Sequence, residues 1–314
     1  YEKIYAGGKN MSDYVITTDS NSDVLPGFIE ENNLTIIPQY YAFGDTVYGD
    51  QLNMEPHEFY ETMRKGELPK SMANNPEVIR EKFENILKDW QKHGFKLLEN
   101  AYLNIVPSDS VIEIYKHVYS DLNNFKLIEH GRDIKKSDIE PELSVKPIKI
   151  ALPGHISQHK GSLLIKKIKN LDKDNELELH FMGTAIPNLN KYGINHGRYK
   201  RGDFNKVIAE INPSFIAILS TCPETFSHTL TESWKSGIPV IATNLGALKE
   251  RINKTNGGWL VDYKDPQAIY DKILSIDETD YLKKVESISK IRFKSLKEMT
   301  DEYNQIYGEI ADEL

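Results

Sequence analysis

The sequence has a single cysteine, Cys222, in 314 residues. An internal disulfide and a site built from several cysteines are therefore excluded, and a reducing, cytoplasmic setting is expected. No apolar run approaches the length needed to span a membrane, and no charged-then-apolar leader pattern is expected at the start. An excess of positive charge is missing too. Lys and Arg number 39 against 47 Asp and Glu, a net charge of −8. That argues against a nucleic-acid partner held on a broad basic surface. There is no internal repeat, no low-complexity tract and no GxSxG elbow. His155, His159, His196 and His228 do not have a metal-ligand spacing on one helix. Asp172-x-Asp174 resembles a metal-binding pair, but it sits in the polar turn LDKDNE, where short carboxylates are ordinary turn formers.

What remains is the composition of a folded protein, 39% hydrophobic and 27% charged, and a length that allows two domains with a core each. The opening YEKIYAGGKN precedes Met11, and those ten positions are expected to be foreign to the fold. In the second half, short apolar strands are expected at Ile148–Leu152, Leu177–Met182, Phe215–Leu219, Pro239–Thr243 and Trp259–Val261. Helical patterns fall between them, near Ser162–Ile168, Phe204–Ile211, Thr229–Lys235 and Gln267–Leu274. That alternation predicts an α/β fold with a parallel sheet covered on both faces. Ligands of such sheets bind at the carboxyl ends of the strands, where helix N-termini present free N–H groups.

The first half is less regular. Val15–Asp23 reads as a strand and polar turn, and Leu34–Phe43 and Thr46–Tyr48 as strands paired through Gly44–Asp45. Helices are expected at Glu58–Lys65 and Pro76–Trp90, then a strand and helix at Tyr102–Val106 and Val111–Tyr119. The polar, proline-bearing stretch 132–147 is expected to mark a lobe boundary. The expected domains are thus an N-terminal α/β lobe over 11–131, a sheet lobe over 147–280 and closing helices over 281–314. The apolar face of Leu282, Val285, Ile288, Ile291 and Phe293 is that of a packing helix.

Three stretches carry chemistry. LPGHISQHKG, 152–161, leaves a strand, passes Gly154 and Gly161 and enters a helix; such a turn lets backbone approach an anion. Lys160 adds a positive charge there, worth about 1.5–3 kcal/mol in a charge-assisted hydrogen bond, unless it is merely solvated. CPETFSHTLTE, 222–232, places Glu224 and Glu232 around the start of a helix. Thr229-x-x-Glu232 fits a capping box, which accounts for Glu232 but not for Glu224. Ionised carboxylates are acceptors only, so the pair suits sugar or ribose hydroxyls, while a phosphate would go to Lys160 and free N–H groups. The basic loop 183–203, with Lys206, carries Lys191, Arg198, Lys200, Arg201 and Lys206 against Asp203. It suits the rim of an anion site as well as it suits a solvated loop.

LPGHISQHKG, HGRYKRGDF and PETFSHTLTESWKSGIPVIATNLGALKERI together resemble the donor-binding lobe of retaining family 4 glycosyltransferases of GT-B architecture. GGWLVDYKDPQAI and MTDEYNQIYGEI extend the likeness, as does a hinge around His130–Gly131, so that it covers about 101–310. The resemblance implies a Rossmann-like donor lobe and transfer of a sugar from a nucleotide-sugar donor with retention of configuration, in bacterial surface polysaccharide synthesis. It implies Glu224 on the transferred sugar, Glu232 on the ribose, and Lys160 on the diphosphate. Gly154, His155, Gly161, Phe226 and Ser227 complete the donor site, with Glu224 and Lys160 as its catalytic pair. It implies no cofactor and no metal. The acceptor would be a saccharide or lipid-linked saccharide, with a peripheral membrane association among the expected partners. Two positions depart from the family. Its arginine after the first loop glycine is His155 here, and its glycine before the helix is Ser227.

Met11–Asp89, with YVITTDSNSD and IIPQYYAFGDTVYGDQLNMEPHEFYETMRKGELPKSMANNPE, resembles the start of DegV-type fatty-acid-binding proteins. That likeness implies a carboxylate head group at Ser20 and Ser71 beside the Asp19 turn, although the family's Thr-Ser pair after Pro-Lys is Ser71–Met72 here. The chain therefore reads as a suspected chimera with an atypical N-terminal lobe. The alternatives are a non-enzymatic lipid-binding module, or a chimera that binds donor without transferring it.

Overall fold

The structure is a computed structural model that describes residues 17–19, 26–32, 34–37, 39–49, 54–71, 76–137, 139–185 and 187–313. The chain divides into two compact units, Tyr1–Asn100 and Ala101–Leu314. The division falls ahead of the 132–147 stretch that composition suggests as a boundary. Residues 101–131 go with the second unit because their polar groups are bound there. Glu250 accepts from Ser110 N at 2.8 Å, and the Ser108 hydroxyl donates to the Thr225 carbonyl at 2.7 Å.

In the first unit, β1 (Thr17–Asp19) pairs in parallel with β2 (Thr35–Ile37), with α1 (Pro26–Glu31) between them in sequence. The expected hairpin forms. β3 (Tyr41–Phe43) and β4 (Thr46–Tyr48) pair with Phe43 opposite Thr46, and Gly44 takes the positive φ that its two-residue loop requires. β5 (Lys70–Ser71) adds to the other edge of β3. α2 (Pro56–Arg64) opens on a proline, as does α3 (Pro76–Glu99), which continues past Trp90 to Glu99. Tyr41, Phe43, Tyr48 and Phe59 form an aromatic cluster. Among the described residues of this unit only Ala42 and Phe43 are buried apolar side chains, while Phe83, Leu87, Trp90 and Leu97 of α3 are exposed.

The second unit starts with β6 (Asn104–Val106), α4 (Asp109–Val118) and β7 (Phe125–Leu127), the strands pairing in parallel. Its main sheet holds β8 (Ile148–Ile156), β9 (Leu177–Ala185), β10 (Ile194–Asn195), β11 (Phe215–Ile218), β12 (Val240–Thr243) and β13 (Gly258–Val261). All are parallel, in the order β10-β9-β8-β11-β12-β13. The chain runs outward from β8 to one edge, returns to β11 and runs outward to the other. The order therefore reverses between β8 and β11, which opens a crevice at their carboxyl ends.

Alternation along each strand builds two cores. Ile148, Ile150 and Leu152 face one side with Phe215 and Ala217; Ala151 faces the other with Ile216 and Ile218. The first face is covered by α5 (Ser162–Leu171), α9 (Pro266–Ser275) and Tyr281 of α10 (Glu278–Ser289). The second is covered by α6 (Phe204–Ile211), α7 (His228–Lys235) and α8 (Gly246–Thr255). Burying each such side chain contributes about 1.5–3 kcal/mol, which is why β11, β12 and β13 hold almost no polar residue.

Sequence periodicity overlooks α8, whose GALKERINKT buries only Ala247, Leu248 and Ile252. The closing segment is split into α10 and α11 (Leu296–Glu313), and Ile291 and Phe293 of the expected helical face lie in the break between them. A capping box starts α11: Ser295 N donates to Glu298 Oε2 at 2.8 Å, and Glu298 N donates to Ser295 Oγ at 3.1 Å. The box expected at Thr229 is absent as such. α7 starts at His228 with Ser227 as its N-cap and no side-chain cap bond, so Thr229 lies inside the helix.

Candidate functional site: a pocket at the β8 and β11 strand ends

Both connections leaving the switch point are tightly set. The β8–α5 loop ends on Gly161 with φ 86°, and a Cβ there would stand 2.1 Å from the Leu219 carbonyl oxygen. Only glycine allows that approach. Thr221 N donates to the His159 carbonyl at 2.9 Å, joining this loop to the one after β11. On the other side, Gly246 (φ 49°) lets α8 approach the Glu224 carbonyl, to which Ala247 N donates at 2.9 Å.

These loops bring Lys160 and Glu224 together. Lys160 Nζ stands 2.7 Å from Glu224 Oε1, and the Ser220 hydroxyl donates to the same oxygen. The Glu224 side chain is 12% exposed and that of Lys160 38%. Burial alone would raise the carboxyl's pKa, but the bonds from Lys160 and Ser220 outweigh it and hold the group below the usual carboxylate value. Glu224 is therefore ionised at neutral pH. The two side chains line a pocket of about 190 Å³ with Gly154, His155, Ser220 and Thr229. His155 Nδ1 is hydrogen-bonded to Thr184 Oγ1 at 2.5 Å. The pocket thus combines a cation, an ionised acceptor and hydroxyl groups.

Glu232 lies on α7, outside the lining of that pocket. Its side chain is nearly buried and pairs with Arg132 Nη1 at 2.8 Å. Tyr199 feels its charge, and burial followed by that charge pushes the phenol pKa up to about 12. Phe226 is buried and Ser227 has a left-handed backbone, φ 67°. Their carbonyls accept from Arg251 Nη1 at 2.9 and 3.0 Å. Arg132, Ser220 and Arg251 were not among the residues the sequence motifs singled out. Arg132 follows the hinge glycine and Arg251 falls within the glycosyltransferase-like stretch 223–252, where residue type alone assigns it no role.

Other expectations resolve differently. The basic loop 183–203 forms 3-10 turns at Pro187–Tyr192 and Arg201–Asp203 around β10, and none of its described residues lines the pocket. Asp172 is structural: it accepts from Lys169 Nζ at 2.6 Å, Glu176 N at 2.7 Å and Leu177 N at 3.1 Å. Ser20 lies outside the described residues, as do the side chains of Asp19 and Ser71, so the head-group expectation has no geometry here. Among the described residues no group of three or more His, Cys, Asp or Glu side chains converges as a metal site, and no helix is long and apolar enough to cross a membrane.

The order of the parallel sheet and the pocket at its reversal define an α/β unit of the kind that forms the donor half of GT-B glycosyltransferases. Comparison with known proteins agrees. Residues 148–278 match the family model described as glycosyl transferases group 1, and residues 13–94 match that of the uncharacterised DegV family. The chain thus joins segments similar to two different families. An Escherichia coli (strain K12) protein, WcaC, named as a colanic acid biosynthesis glycosyl transferase, is 27% identical over 162 residues. That match spans 49% of this chain and 38% of WcaC. A DegV domain-containing protein of Caldanaerobacter subterraneus is 29% identical over 80 residues, 26% of this chain and 29% of that protein. The chain therefore spans well under half the length of the curated relatives it matches. Among solved structures, Anabaena HepE in complex with UDP and glucose has a TM-score of 0.54 at 17% identity, covering 69% of this chain and 66% of that one. At that identity the likeness is one of fold.

Proposed function

We propose that the chain binds a nucleotide-sugar donor at the β8 and β11 strand ends and transfers its sugar with retention of anomeric configuration. The Lys160–Glu224 pair at the switch point carries this reading. Lys160 offsets the diphosphate charge, and Glu224, an acceptor at neutral pH, receives hydroxyls of the transferred sugar. Glu232 takes the ribose hydroxyls, oriented by Arg132. Gly154, His155, Gly161, Phe226 and Ser227 shape the loops that enclose the donor.

In the reaction the bond between the anomeric carbon and the diphosphate oxygen breaks, its electron pair leaving with the diphosphate. The acceptor oxygen attacks from the same face and its proton passes to the departing phosphate. That assigns the glutamates a different task from the nucleophile and acid–base pair of a glycosidase. The reaction is proposed to be metal-independent, with a saccharide or lipid-linked saccharide as acceptor, in the cytoplasm and peripheral to a membrane. The name of WcaC supports a role in bacterial surface polysaccharide synthesis, and the HepE complex supports a nucleotide-sugar donor.

Thermal melting with uridine, guanosine and thymidine diphosphates tests the donor site. A ligand at 100 times its Kd stabilises by about 2.7 kcal/mol, so at least one diphosphate should raise Tm, and Glu232→Ala should abolish the shift. A shift of equal size in the variant would refute the assignment of Glu232. The DegV match favours a second reading, a fatty-acid-binding module without catalysis, possible for residues 13–94 alone. Native mass spectrometry should then find fatty acid on the purified protein; an empty protein counts against it.

A further inference from the structure

Four consecutive carbonyls, those of residues 224 to 227, are each held from the protein side. Ala247 N takes Glu224 O at 2.9 Å, Ser108 Oγ takes Thr225 O at 2.7 Å, and Arg251 Nη1 takes both Phe226 O and Ser227 O at 2.9 and 3.0 Å. In a trans peptide the carbonyl and the following N–H point in opposite directions. Holding these oxygens toward α8 and Ser108 therefore turns the N–H groups that follow them away from that side. Among the described residues no backbone acceptor meets the N–H of Phe226 or Ser227. The left-handed Ser227 followed by helical His228 is the backbone alternation that gathers successive N–H groups into an anion-receiving concavity.

Arg251 holds this loop to α7 and α8 through several contacts. Its guanidinium stacks 4.0 Å over the Phe226 ring and lies 5.3 Å from the Trp234 ring, while Nη2 donates to Thr231 Oγ1 at 2.9 Å. It has no carboxylate in a salt bridge among the described residues. A half-buried charge with carbonyls, a hydroxyl and rings as partners holds the loop, one arm of its planar fork on the two carbonyls and the other on Thr231, a geometry that lysine lacks. The hydroxyl of Ser227 is buried close to Glu224 without a hydrogen bond of good geometry. The loop's shape is thus set from behind by Arg251.

We propose that Arg251 is a positioning residue for phosphate recognition. It fixes the carbonyls of Phe226 and Ser227 so that, with Ala247 and Ser108 holding those of Glu224 and Thr225, the N–H groups of residues 225–227 receive the diphosphate of the donor. This deepens the donor-site reading and rests on it.

Calorimetric titration of the full chain with the three nucleoside diphosphates above, and with their parent nucleosides, tests the proposal. In Arg251→Met, affinity for the best diphosphate should fall at least about tenfold, or ~1.4 kcal/mol, while the nucleoside's Kd stays within about twofold. Arg251→Lys should also lose diphosphate affinity, since an ammonium lacks the second arm to Thr231 Oγ1 and the planar stack on Phe226 that fix Nη1 against both carbonyls. Equal losses for diphosphate and nucleoside, no loss in the methionine variant, or wild-type affinity in the lysine variant would each overturn the role. Should the variants not fold, amide hydrogen exchange on the wild type gives an independent readout. Diphosphate, but not nucleoside, should protect the amides of residues 225–227, and unchanged exchange there in a formed complex overturns the proposal. A wild-type chain that binds none of the diphosphates overturns the donor-site reading itself.

Discussion

Glu224 and Glu232 are the same residue type eight positions apart, yet their surroundings give them different work. Glu224 faces the pocket with Lys160 and Ser220, and Glu232 sits against Arg132 on α7. His155 stands where the resembled family has arginine, so His155→Arg should add a permanent cation at the pocket. We expect nucleoside diphosphate to bind about tenfold tighter in that variant by calorimetry, within the ~1.5–3 kcal/mol of a charge-assisted bond. An unchanged Kd would place His155 away from the phosphates. Asp172 carries a prediction about stability. Burial would raise its pKa, but Lys169 and the N–H groups of Glu176 and Leu177 prevail and hold it below the ordinary carboxylate value. A depressed carboxyl contributes stability above its unfolded-state pKa and loses it as pH falls through the folded value. Asp172→Asn should therefore destabilise by about 1.5–3 kcal/mol at neutral pH, with a smaller difference from wild type in acid. Denaturant melts at pH 7 and pH 3 would show it, and a pH-independent difference would contradict it.

At the scale of elements, the loops matter more than the helices they introduce. Gly161 is pressed against Leu219 and has a left-handed backbone, so Gly161→Ala should weaken both folding and diphosphate binding. α11 starts on the Ser295 cap, and Ser295→Ala should lower stability by about 1 kcal/mol in a thermal melt. Element by element, protection should also be uneven. β8, β11 and β12 are buried on both faces, whereas the described helices of the first unit bury little. Native-state hydrogen exchange should be slowest in those three strands and markedly faster in α2 and α3. Comparable protection in both units would show that the first unit is better packed than its side-chain burial implies.

At the scale of the whole molecule, the two units correspond to two separate likenesses, one to glycosyl transferases group 1 and one to the DegV family. Donor hydrolysis and sugar transfer are the assays that separate an active enzyme from a donor-binding chain. Diphosphate binding without either activity would favour the latter.

Five of the six strands of the main sheet were legible in the sequence because each contains a short apolar run that both faces of the sheet can bury, whereas the exposed two-residue β10 has no such run. Lys160 and Glu224 were legible because each follows such a run, and topology sends strand ends of this kind to one edge. The helix Gly246–Thr255 was not, since three buried apolar residues leave too faint a period. Thr229 and Ser295 both begin an S/T-x-x-E pattern, and only the second forms a capping box; local sequence does not distinguish them. Arg132 and Arg251 lie 100 and 25 positions from Glu232 and Phe226, the residues they hold. Sequence determined which residue types stand at the strand ends, because burial dictates where the strands lie. Only the tertiary structure decided which charges meet, because a guanidinium finds its carboxylate or carbonyl through packing between elements remote in the chain.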